Sequence, residues 1–408
     1  MLNFGSYSKN QMKNRKLKAG IYDPYLDTLG GGERYCLSVA EILINNGYDV
    51  DLFCSGDKSY IEKAETRFSL NLKKINIVPD IFESPLSSIS FIEDRGALFN
   101  LIHRSKSPLK IRDKIIKIAK KILTTTKYDV IFYLSDGSNP FLFAKKNILH
   151  VQVPFTKKEI NHNDLLNNIK SFTYNHIVCN SQFTAKFTQK FFNKKVDILY
   201  PPVDINKFTI NNKKENIILN VGRFDNILNA KKQDVLISVF KKLSKNQEIK
   251  DWKLIFAGGS TQVSDQNTYL NLLKEEAKDY PIEFYVNPNF DTLKSLYAKS
   301  KIYWHAAGYN VKQNIHPENT EHFGMTIVES MASGCVPIVI AKGGIPEIIN
   351  NGIDGFTWLT LNGLYKKTKK LILNQKLFDK IQTKSILSSK KFSKENFETQ
   401  LISLISKK

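Results

Sequence analysis

The chain has 408 residues, of which 42% are hydrophobic and 11% aromatic. At roughly 150 residues per domain this length suits two or three domains, and the apolar content excludes a mostly disordered chain. Lys and Arg number 60 and Asp and Glu 39, so the formal net charge is +21. This charge favours an anionic partner, which could be nucleic acid, an anionic membrane surface or a phosphorylated substrate.

Four cysteines are spread along the chain, each in an apolar or small-residue run and none in a C-x-x-C pair: Cys36, Cys54, Cys179 and Cys335. This usage is typical of reduced core cysteines in a cytoplasmic protein. Residues 1–16 contain no apolar stretch after their charges, so we expect no signal peptide. No run of about 18 apolar residues predicts a membrane-spanning helix, and a membrane role would therefore be peripheral.

The first part of the chain is predicted to open with a strand, a helix and a second strand. Residues 17–25 predict a strand and a turn, and GGGERY at 30–35 leads into a helix from about Glu33 to Ile44. A strand follows at 48–53, which completes the unit of a parallel sheet. Further strands are predicted at 75–80, 128–135, 147–153, 176–181 and 196–202.

Residues 104–127 form a strongly basic segment with nine basic residues, one acidic residue and a net charge of +8. Apolar residues recur from Ile111 with the period of a helix, so the segment predicts a basic amphipathic helix. Two interpretations stay open: a helix packed on its own domain with a solvated basic face, and contact with an anionic membrane surface. The segment has no aromatic residues, which argues against stacking on single-stranded nucleic acid.

Pro201 and Pro202 interrupt the chain and are followed by polar residues, which predicts a connector at about 200–214. A second alternating series then begins. It predicts strands at 216–224, 252–260, 282–287, 301–308 and 335–342, helices at 233–245, 264–280, 291–300 and 325–334, and a turn entering a helix at 343–351.

The predicted domains are 1–205, 206–390 and a C-terminal helix at 391–408 that packs back towards the first domain. The predicted fold class is α/β, with two Rossmann-like parallel domains. Two such domains joined by a proline connector are expected to face a central cleft. Sheets of this kind bind ligands at the carboxyl ends of their strands.

The sharpest functional signal is an E-x7-E pair, Glu321 and Glu329, around the predicted start of a helix near Met325. Backbone amides at a helix start, together with the helix dipole, form an anion site suited to a diphosphate. The two carboxylates cannot bind the diphosphate itself, because like charges repel. They suit hydroxyl groups on either side of the diphosphate: those of a sugar for Glu321 and those of a ribose for Glu329. The competing interpretation is a loop charge at Glu321 and an exposed helix residue at Glu329. The neighbouring candidate ligand residues are Phe323, Gly324, Met325 and Thr326.

A second signal follows the first strand of the C-terminal series. Arg223 comes directly after Gly222, and Lys231 and Lys232 precede the next helix. Two cations at a strand end can neutralise a diphosphate of about two negative charges.

Two other kinds of site are less well supported. The Gly-rich loop at 30–35 lacks the third glycine of G-x-G-x-x-G, which argues against dinucleotide binding. Asp49 and Asp51 form a D-x-D, but alternation along the polar face of a strand explains them. The histidines near Glu321, at positions 305, 316 and 322, have no spacing that matches a metal site. The cationic pair suggests an enzyme without metal, and we expect no other cofactor.

Seven segments carry a family resemblance: GGGERY at 30–35, LHVQVPF at 149–155, NSQFT at 180–184, YPPVD at 200–204, VGR at 221–223 with Lys231, EHFGMTIVESMASGCVP at 321–337 and GGIPE at 343–347. Together they resemble the retaining nucleotide-sugar glycosyltransferases of family 4, which have the two-domain GT-B fold. The resemblance covers nearly the whole chain except about residues 60–128. GGGER, YPPVD and EHFG look closest to dolichol-oligosaccharide mannosyltransferases and their bacterial polysaccharide-building relatives.

The resemblance implies roles for individual residues of the C-terminal half. Arg223 and Lys231 hold the donor diphosphate, Glu321 holds the donor sugar, and Glu329 holds the ribose. A glycine is common after the family's lysine where this chain has Lys232, which leaves open whether Lys231 or Lys232 faces the donor.

In the N-terminal half, the resemblance implies that His150 reaches the donor sugar from the opposite wall of the cleft. Without it, His150 would be interpreted as a strand-end histidine bonded to backbone. Gly31 and Gly32 would let the backbone approach donor or acceptor closely.

The predicted function is transfer of a hexosyl group, with mannose suggested by the resemblance, to a lipid-linked or oligosaccharide acceptor with retention. In the family's proposed mechanism the acceptor attacks from the face of the leaving diphosphate, which accepts its proton. We expect a cytoplasmic protein, peripheral at the inner face of a membrane, that binds no nucleic acid. The alternatives are a nucleotide-sugar epimerase of the same fold and a basic, non-enzymatic nucleic-acid-binding protein.

Overall fold

The computed structural model describes residues 15–26, 30–54, 58–82, 111–155, 165–211, 213–225, 230–260 and 268–407. Several predictions fall on the remaining residues: the expected absence of a signal peptide, the first part of the basic segment at 104–110, and the start of the helix predicted at 264–280.

Contacts divide the described chain into two compact units, one of residues 15–82, 111–150 and 165–177 and one of the rest. The domain bounds given above stay predictions.

The first sheet has seven strands in the order β3-β2-β1-β4-β5-β6-β7. Its strands are β1 (Lys18–Tyr22), β2 (Asp49–Phe53), β3 (Ile75–Val78), β4 (Val130–Leu134), β5 (Lys146–Val151), β6 (His176–Cys179) and β7 (Val196–Ile198). The helices along this part of the chain are α1 (Gly31–Asn45), α2 (Lys58–Phe68), α3 (Ile111–Thr125), α4 (Leu165–Phe172) and α5 (Gln182–Thr188). The pairs β1–β2, β2–β3, β1–β4 and β4–β5 are parallel, as the alternation of strands and helices predicts.

The second sheet lies wholly in the second unit and has six strands in the order β10-β9-β8-β11-β12-β13. Its strands are β8 (Glu215–Val221), β9 (Lys253–Gly258), β10 (Ile282–Val286), β11 (Ser300–His305), β12 (Val336–Ile340) and β13 (Phe356–Trp358). The helices are α6 (Gln233–Ser244), α7 (Thr268–Ala277), α8 (Phe290–Lys299), α9 (Met325–Ala332), α10 (Leu361–Ile372), α11 (Gln375–Ser389) and α12 (Lys394–Ser406). Every neighbouring pair of strands is parallel.

The central strands are buried along their whole length. All five residues of β4 and all five of β12 are buried, because helices cover both faces of a parallel sheet. Such strands are continuous apolar runs bounded by turns, a pattern that predicts them from the sequence. Strands β1 to β12 all fall at predicted positions.

One predicted element is wrong, and others were not predicted. The helix expected at 343–351 is only a single 3-10 turn, Ile345–Glu347, because the chain turns again at Gly352, whose φ is +82°. The helices α2, α4, α5, α10 and α11 and the strand β13 fall where the sequence analysis predicts none.

Asp51 is buried and not on a polar face, so the explanation by alternation is wrong for it. Its exposed fraction is 3%, and its carboxylate accepts from Tyr128 Oη at 2.6 Å and pairs with Lys18 Nζ at 2.8 Å. β2 is covered on both sides, and the phenol and the ammonium compensate the buried charge. Asp51 therefore has a structural role.

The four cysteines all lie in the described part of the chain, and each is buried and outside any disulfide. This confirms them as reduced core cysteines. Among the described helices, none is both long enough and apolar enough to cross a bilayer.

Two of the sequence motifs meet at the start of α5 in the second unit. Ser181 of NSQFT accepts a hydrogen bond from Thr184 N at 3.1 Å. The Glu347 carboxylate of GGIPE accepts from the amides of Gln182 and Phe183, both at 2.7 Å. These bonds satisfy amides that a helix start leaves without partners, so both motifs have a structural reason.

Candidate functional site

The candidate site lies at the carboxyl edge of the second sheet. Arg223 follows β8, His305 is the last residue of β11, and Gly343 follows β12. β8, β11 and β12 are neighbouring parallel strands, so their carboxyl ends lie side by side. Parallel sheets bind ligands at this edge.

The Glu321 carboxylate is the centre of the site. Its Oε2 accepts from Lys231 Nζ at 2.6 Å and from His305 Nε2 at 3.1 Å. The Glu321 and Lys231 side chains are each 16% exposed, and that of His305 is 2% exposed. Among the described residues, none donates a hydrogen bond to Oε1 of Glu321. One oxygen of the carboxylate is therefore held, and the other is available to a ligand.

The charges of this cluster follow from its contacts. Burial alone would raise the pKa of Glu321, but Lys231 and His305 hold it well below its usual range. Burial lowers the pKa of His305 more than Glu321 raises it, so the imidazole is neutral near pH 7. The cluster thus consists of a carboxylate, an ammonium and a neutral ring whose Nε2–H donates to the carboxylate.

The structure pairs Lys231, and not Lys232, with Glu321. Lys232 has a left-handed backbone with φ of +57° and lies just before α6. Glycine adopts this conformation without strain, which explains why it is common at this position. Lys231 also packs on Gly222, where an added Cβ would lie 2.7 Å from Lys231 Cγ. Gly222 therefore leaves room for the lysine side chain.

Arg223 is more open than Lys231. Its side chain is 46% exposed, and Nε lies 3.3 Å from Asp225 Oδ2. Among the described residues no hydrogen bond or ion pair links Arg223 to Glu321 or Lys231. The guanidinium is therefore at the same sheet edge, paired with Asp225 and about half exposed to an incoming anion.

The start of α9 is supported by two tyrosines. Gly324 precedes the helix with φ of +108°, which favours glycine. Tyr303 Oη donates to Thr326 Oγ1 at 2.8 Å, and Tyr297 Oη lies 3.3 Å from Thr326 O. No acceptor among the described residues bonds the amides of Met325 and Thr326, so they can bind an anion.

Phe323 is a core residue next to this helix start. Its exposed fraction is 3%, and its ring lies 5.7 Å from that of Tyr200 and 5.3 Å from that of Phe392. Phe323 was predicted to bind the donor. Because its ring is buried against Tyr200 and Phe392, it would support the helix start through packing and would not contact the donor directly.

Glu329 is buried, so its interpretation as an exposed helix residue is wrong. Its exposed fraction is 3%, and its Oε2 accepts from Tyr297 Oη at 2.9 Å. The E-x7-E pair therefore has one glutamate in the Lys231–His305 cluster and one held by a buried tyrosine.

Two glycines lock the backbone of the Glu321 loop. Gly344 N donates to Glu321 O at 2.9 Å. A Cβ added to Gly344 would lie 2.1 Å from His322 O, and one added to Gly343 would lie 2.1 Å from Glu321 O. The GG of the GGIPE motif is thus needed for close packing on both sides of Glu321.

Substitution of Gly344 with alanine is expected to destabilise the protein by about 3 kcal/mol, because the methyl group overlaps a backbone carbonyl that cannot give way. The matched control is Gly47→Ala: φ there is +84° with nothing within 4 Å of the added Cβ, so only a conformational cost of about 1 kcal/mol remains. Denaturant unfolding of both variants measures the difference, and equal losses would contradict this account of the GG pair.

The remaining predicted site residues lie in the first unit. Gly31 and Gly32 are the first two residues of α1. His150 is fully buried near the end of β5, and its ring stacks on Tyr35 at 4.1 Å with an interplanar angle of 17°. Its backbone carbonyl accepts from Ser135 N at 2.9 Å.

Sequence reasoning missed three residues of this site: His305, Tyr297 and Tyr303. His305 had been considered only as a metal ligand. The signal that could have found it is its place at the end of a central strand, the same kind of place that drew attention to Arg223. For the two tyrosines the sequence offers no such signal.

Comparison with known proteins identifies the family of the chain. Two family models match the chain, Glycosyltransferase Family 4 over residues 29–207 and Glycosyl transferases group 1 over residues 204–384. The GDP-Man:Man(3)GlcNAc(2)-PP-Dol alpha-1,2-mannosyltransferase of Dictyostelium discoideum is 25% identical to this chain. The match covers 53% of this chain and 43% of the length of that relative. The alpha-1,3/1,6-mannosyltransferase ALG2 of Candida glabrata is 23% identical over 95% of this chain and 93% of its own length.

Among solved structures, a glycosyltransferase from Rickettsia africae has a TM-score of 0.66 at 19% identity and covers 96% of this chain and 98% of its own. This similarity and the two parallel sheets show the GT-B fold. The two family models together cover residues 29–384, and the chain belongs to glycosyltransferase family 4. The predicted family and fold are confirmed.

Proposed function

We propose that this glycosyltransferase moves a hexosyl group, with mannose as first candidate, from a nucleotide sugar to a lipid-linked or oligosaccharide acceptor, with retention. The product would belong to a cell-surface glycan or polysaccharide. The observation that carries the proposal is the Glu321 carboxylate, with one oxygen held by Lys231 and His305 and the other available to a sugar hydroxyl. Two relatives named as mannosyltransferases support the sugar, and the PP-Dol acceptor in the name of the Dictyostelium discoideum relative supports the acceptor class.

In this proposal the protein acts mainly on the leaving group. The bond from the anomeric carbon to the diphosphate breaks while the acceptor oxygen attacks from the same face, and the acceptor proton passes to a diphosphate oxygen. Lys231, Arg223 and the amides at the start of α9 would stabilise the charge on the departing diphosphate. Glu329 would bind the ribose.

Two roles rest on the family resemblance alone. His150 would contact the donor sugar, and Gly31 and Gly32 would let the backbone approach donor or acceptor. Within its own unit, His150 is held by stacking on Tyr35.

The donor can be identified by thermal-shift measurements with GDP-mannose, UDP-glucose, GDP and UDP, because a ligand that binds only the folded state raises its stability. Greater stabilisation by GDP-mannose and GDP would support mannose. NMR of the product made from the active donor then shows whether the anomeric configuration is retained. The absence of any shift with all four compounds would contradict nucleotide-sugar binding.

Activity is expected to survive EDTA. Arg223 and Lys231 would supply two positive charges at the diphosphate, the charge that a divalent metal supplies in other transferases. Turnover is measured after dialysis against EDTA and again with added Mn²⁺ or Mg²⁺. Loss of activity in EDTA and its recovery with either ion would overturn the proposal of a metal-free reaction.

We also propose that α3 holds the protein on an anionic membrane surface, near a lipid-linked acceptor. The segment 104–127 has a net charge of +8, and three large apolar side chains of α3 are exposed: Ile116 by 53%, Ile118 by 47% and Leu123 by 67%. Basic residues beside exposed apolar ones suit the interface of an anionic bilayer. Lys121 is the exception, since its Nζ donates to Phe82 O at 3.0 Å.

Changing Lys114, Lys117 and Lys120 to glutamine is expected to weaken binding to anionic vesicles by about a hundredfold at low salt, since each basic residue near such a surface contributes about 1 kcal/mol. The matched control changes three exposed lysines of α11, Lys376, Lys380 and Lys384, by the same charge. Vesicle sedimentation measures both variants. Equal binding of the wild type and the α3 variant would show that this helix is only solvated.

A further inference from the structure

His305 is a buried histidine whose contacts are one-sided. Its side chain is 2% exposed, and Nε2 lies 3.1 Å from Glu321 Oε2. Its Nδ1 is buried and has no hydrogen-bond partner among the described residues. Buried polar atoms usually have partners, so the ring is oriented by the Glu321 contact and by packing alone.

This one-sided contact selects one form of the ring. The carboxylate accepts, so Nε2 carries the proton and Nδ1 does not. A second proton at Nδ1 would be buried without an acceptor, in a cluster that already contains the Lys231 ammonium. His305 is therefore a neutral donor, and Lys231 is the charged donor to the same oxygen.

The two donors to Glu321 differ in what a substrate would do to them. A diphosphate attracts Lys231, because it carries about two negative charges. The diphosphate does not attract the neutral imidazole of His305, because that ring carries no net charge. When the donor binds, His305 is the partner that still holds Oε2, so that Oε1 keeps its direction towards the sugar.

We propose that His305 is a positioning residue of the transfer reaction, which orients the Glu321 carboxylate towards the donor sugar through the Nε2–H to Oε2 hydrogen bond. This inference rests on the proposed function, in which Glu321 binds that sugar. The resulting contribution is specific to the sugar and does not involve the nucleotide. A purely structural histidine would affect both equally.

The test compares His305→Leu, which removes the donor at similar volume, with His305→Gln, whose amide N–H can replace Nε2–H. His305→Leu is expected to lower kcat/KM for the active nucleotide sugar, GDP-mannose or UDP-glucose, at least tenfold, as expected for the loss of a hydrogen bond to a charged group. The affinity of this variant for GDP or UDP should stay within about twofold of wild type, because the hydrogen bond from His305 to Glu321 does not contribute to the binding of the nucleotide. His305→Gln should recover most of the lost kcat/KM.

A double variant distinguishes the inference from the proposed function. If His305 acts through Glu321, then adding His305→Leu to Glu321→Gln lowers kcat/KM no further than Glu321→Gln alone. Equal losses of nucleotide affinity and kcat/KM in His305→Leu, or failure of His305→Gln to recover activity, would overturn the positioning role. Normal kcat/KM in Glu321→Gln itself would overturn the proposed function instead.

Discussion

Replacement of Glu321 with glutamine is expected to reduce turnover with a nucleotide-sugar donor tenfold or more. The amide has one acceptor oxygen, which would be taken up by Lys231 and His305, and its NH2 group would replace the oxygen available to the sugar. Loss of a hydrogen bond to a charged group costs about 1.5–3 kcal/mol, which corresponds to tenfold or more in rate. Steady-state kinetics with saturating acceptor measures the effect.

The matched control is Glu318→Gln in the same loop. Glu318 contacts His316 at 3.2 Å and has no contact with the cluster, so its activity should stay close to that of wild type. Because Glu321→Gln also leaves the Lys231 ammonium without its carboxylate, thermal unfolding must show that both variants are folded. Wild-type turnover in a folded Glu321→Gln variant would remove Glu321 from the site.

The second large effect is expected at the two cations. The double substitution Arg223→Ala and Lys231→Ala should abolish measurable binding of GDP-mannose, UDP-glucose and their free nucleotides, because both positive charges proposed for the diphosphate are lost. Calorimetric titration measures the binding. Some stability should be lost as well, since Lys231 is only 16% exposed and its removal leaves a buried carboxylate with His305 as its one remaining partner among the described residues.

Lys232→Gly is the matched control for this pair. It removes a neighbouring positive charge, and glycine suits the backbone there, where φ is +57°. Donor binding should remain, and the melting temperature should stay the same or rise. Loss of donor binding in Lys232→Gly, with binding intact in Lys231→Ala, would show that Lys232 is the lysine that binds the donor.

Much of the fold could be predicted because parallel strands and their helices carry strong local patterns. The central strands β4 and β12 are apolar runs between turns, and α9 starts at Met325 as predicted from the Gly324 turn. The unpredicted helices do not all have weaker patterns: Leu364, Thr368 and Leu371 of α10 recur at helical spacing and are buried. Asp51 was misjudged because a single strand does not reveal that its second face is also covered.

The candidate site was predicted only in part. Glu321 could be selected because its motif places it just before a helix start, and Lys231 because of its family motif. Their pairing at 2.6 Å joins residues 90 positions apart, and no local pattern reports such a distance. Tyr297 of α8 and Glu329 of α9 likewise lie 32 positions apart and form a hydrogen bond of 2.9 Å only in the folded chain.

For this protein, local chemistry along the chain was enough to establish the alternation of strands and helices, the sheet edge that carries the site, and the glycines that turns and helix starts require. Those features depend on neighbours within a few residues, and the sequence contains them directly. The pairing of Lys231 with Glu321, the contact of His305 with Glu321 and the burial of Glu329 depend on backbone conformation and on packing between distant segments. Such contacts exist only after the chain has folded, and therefore only the folded structure identifies them.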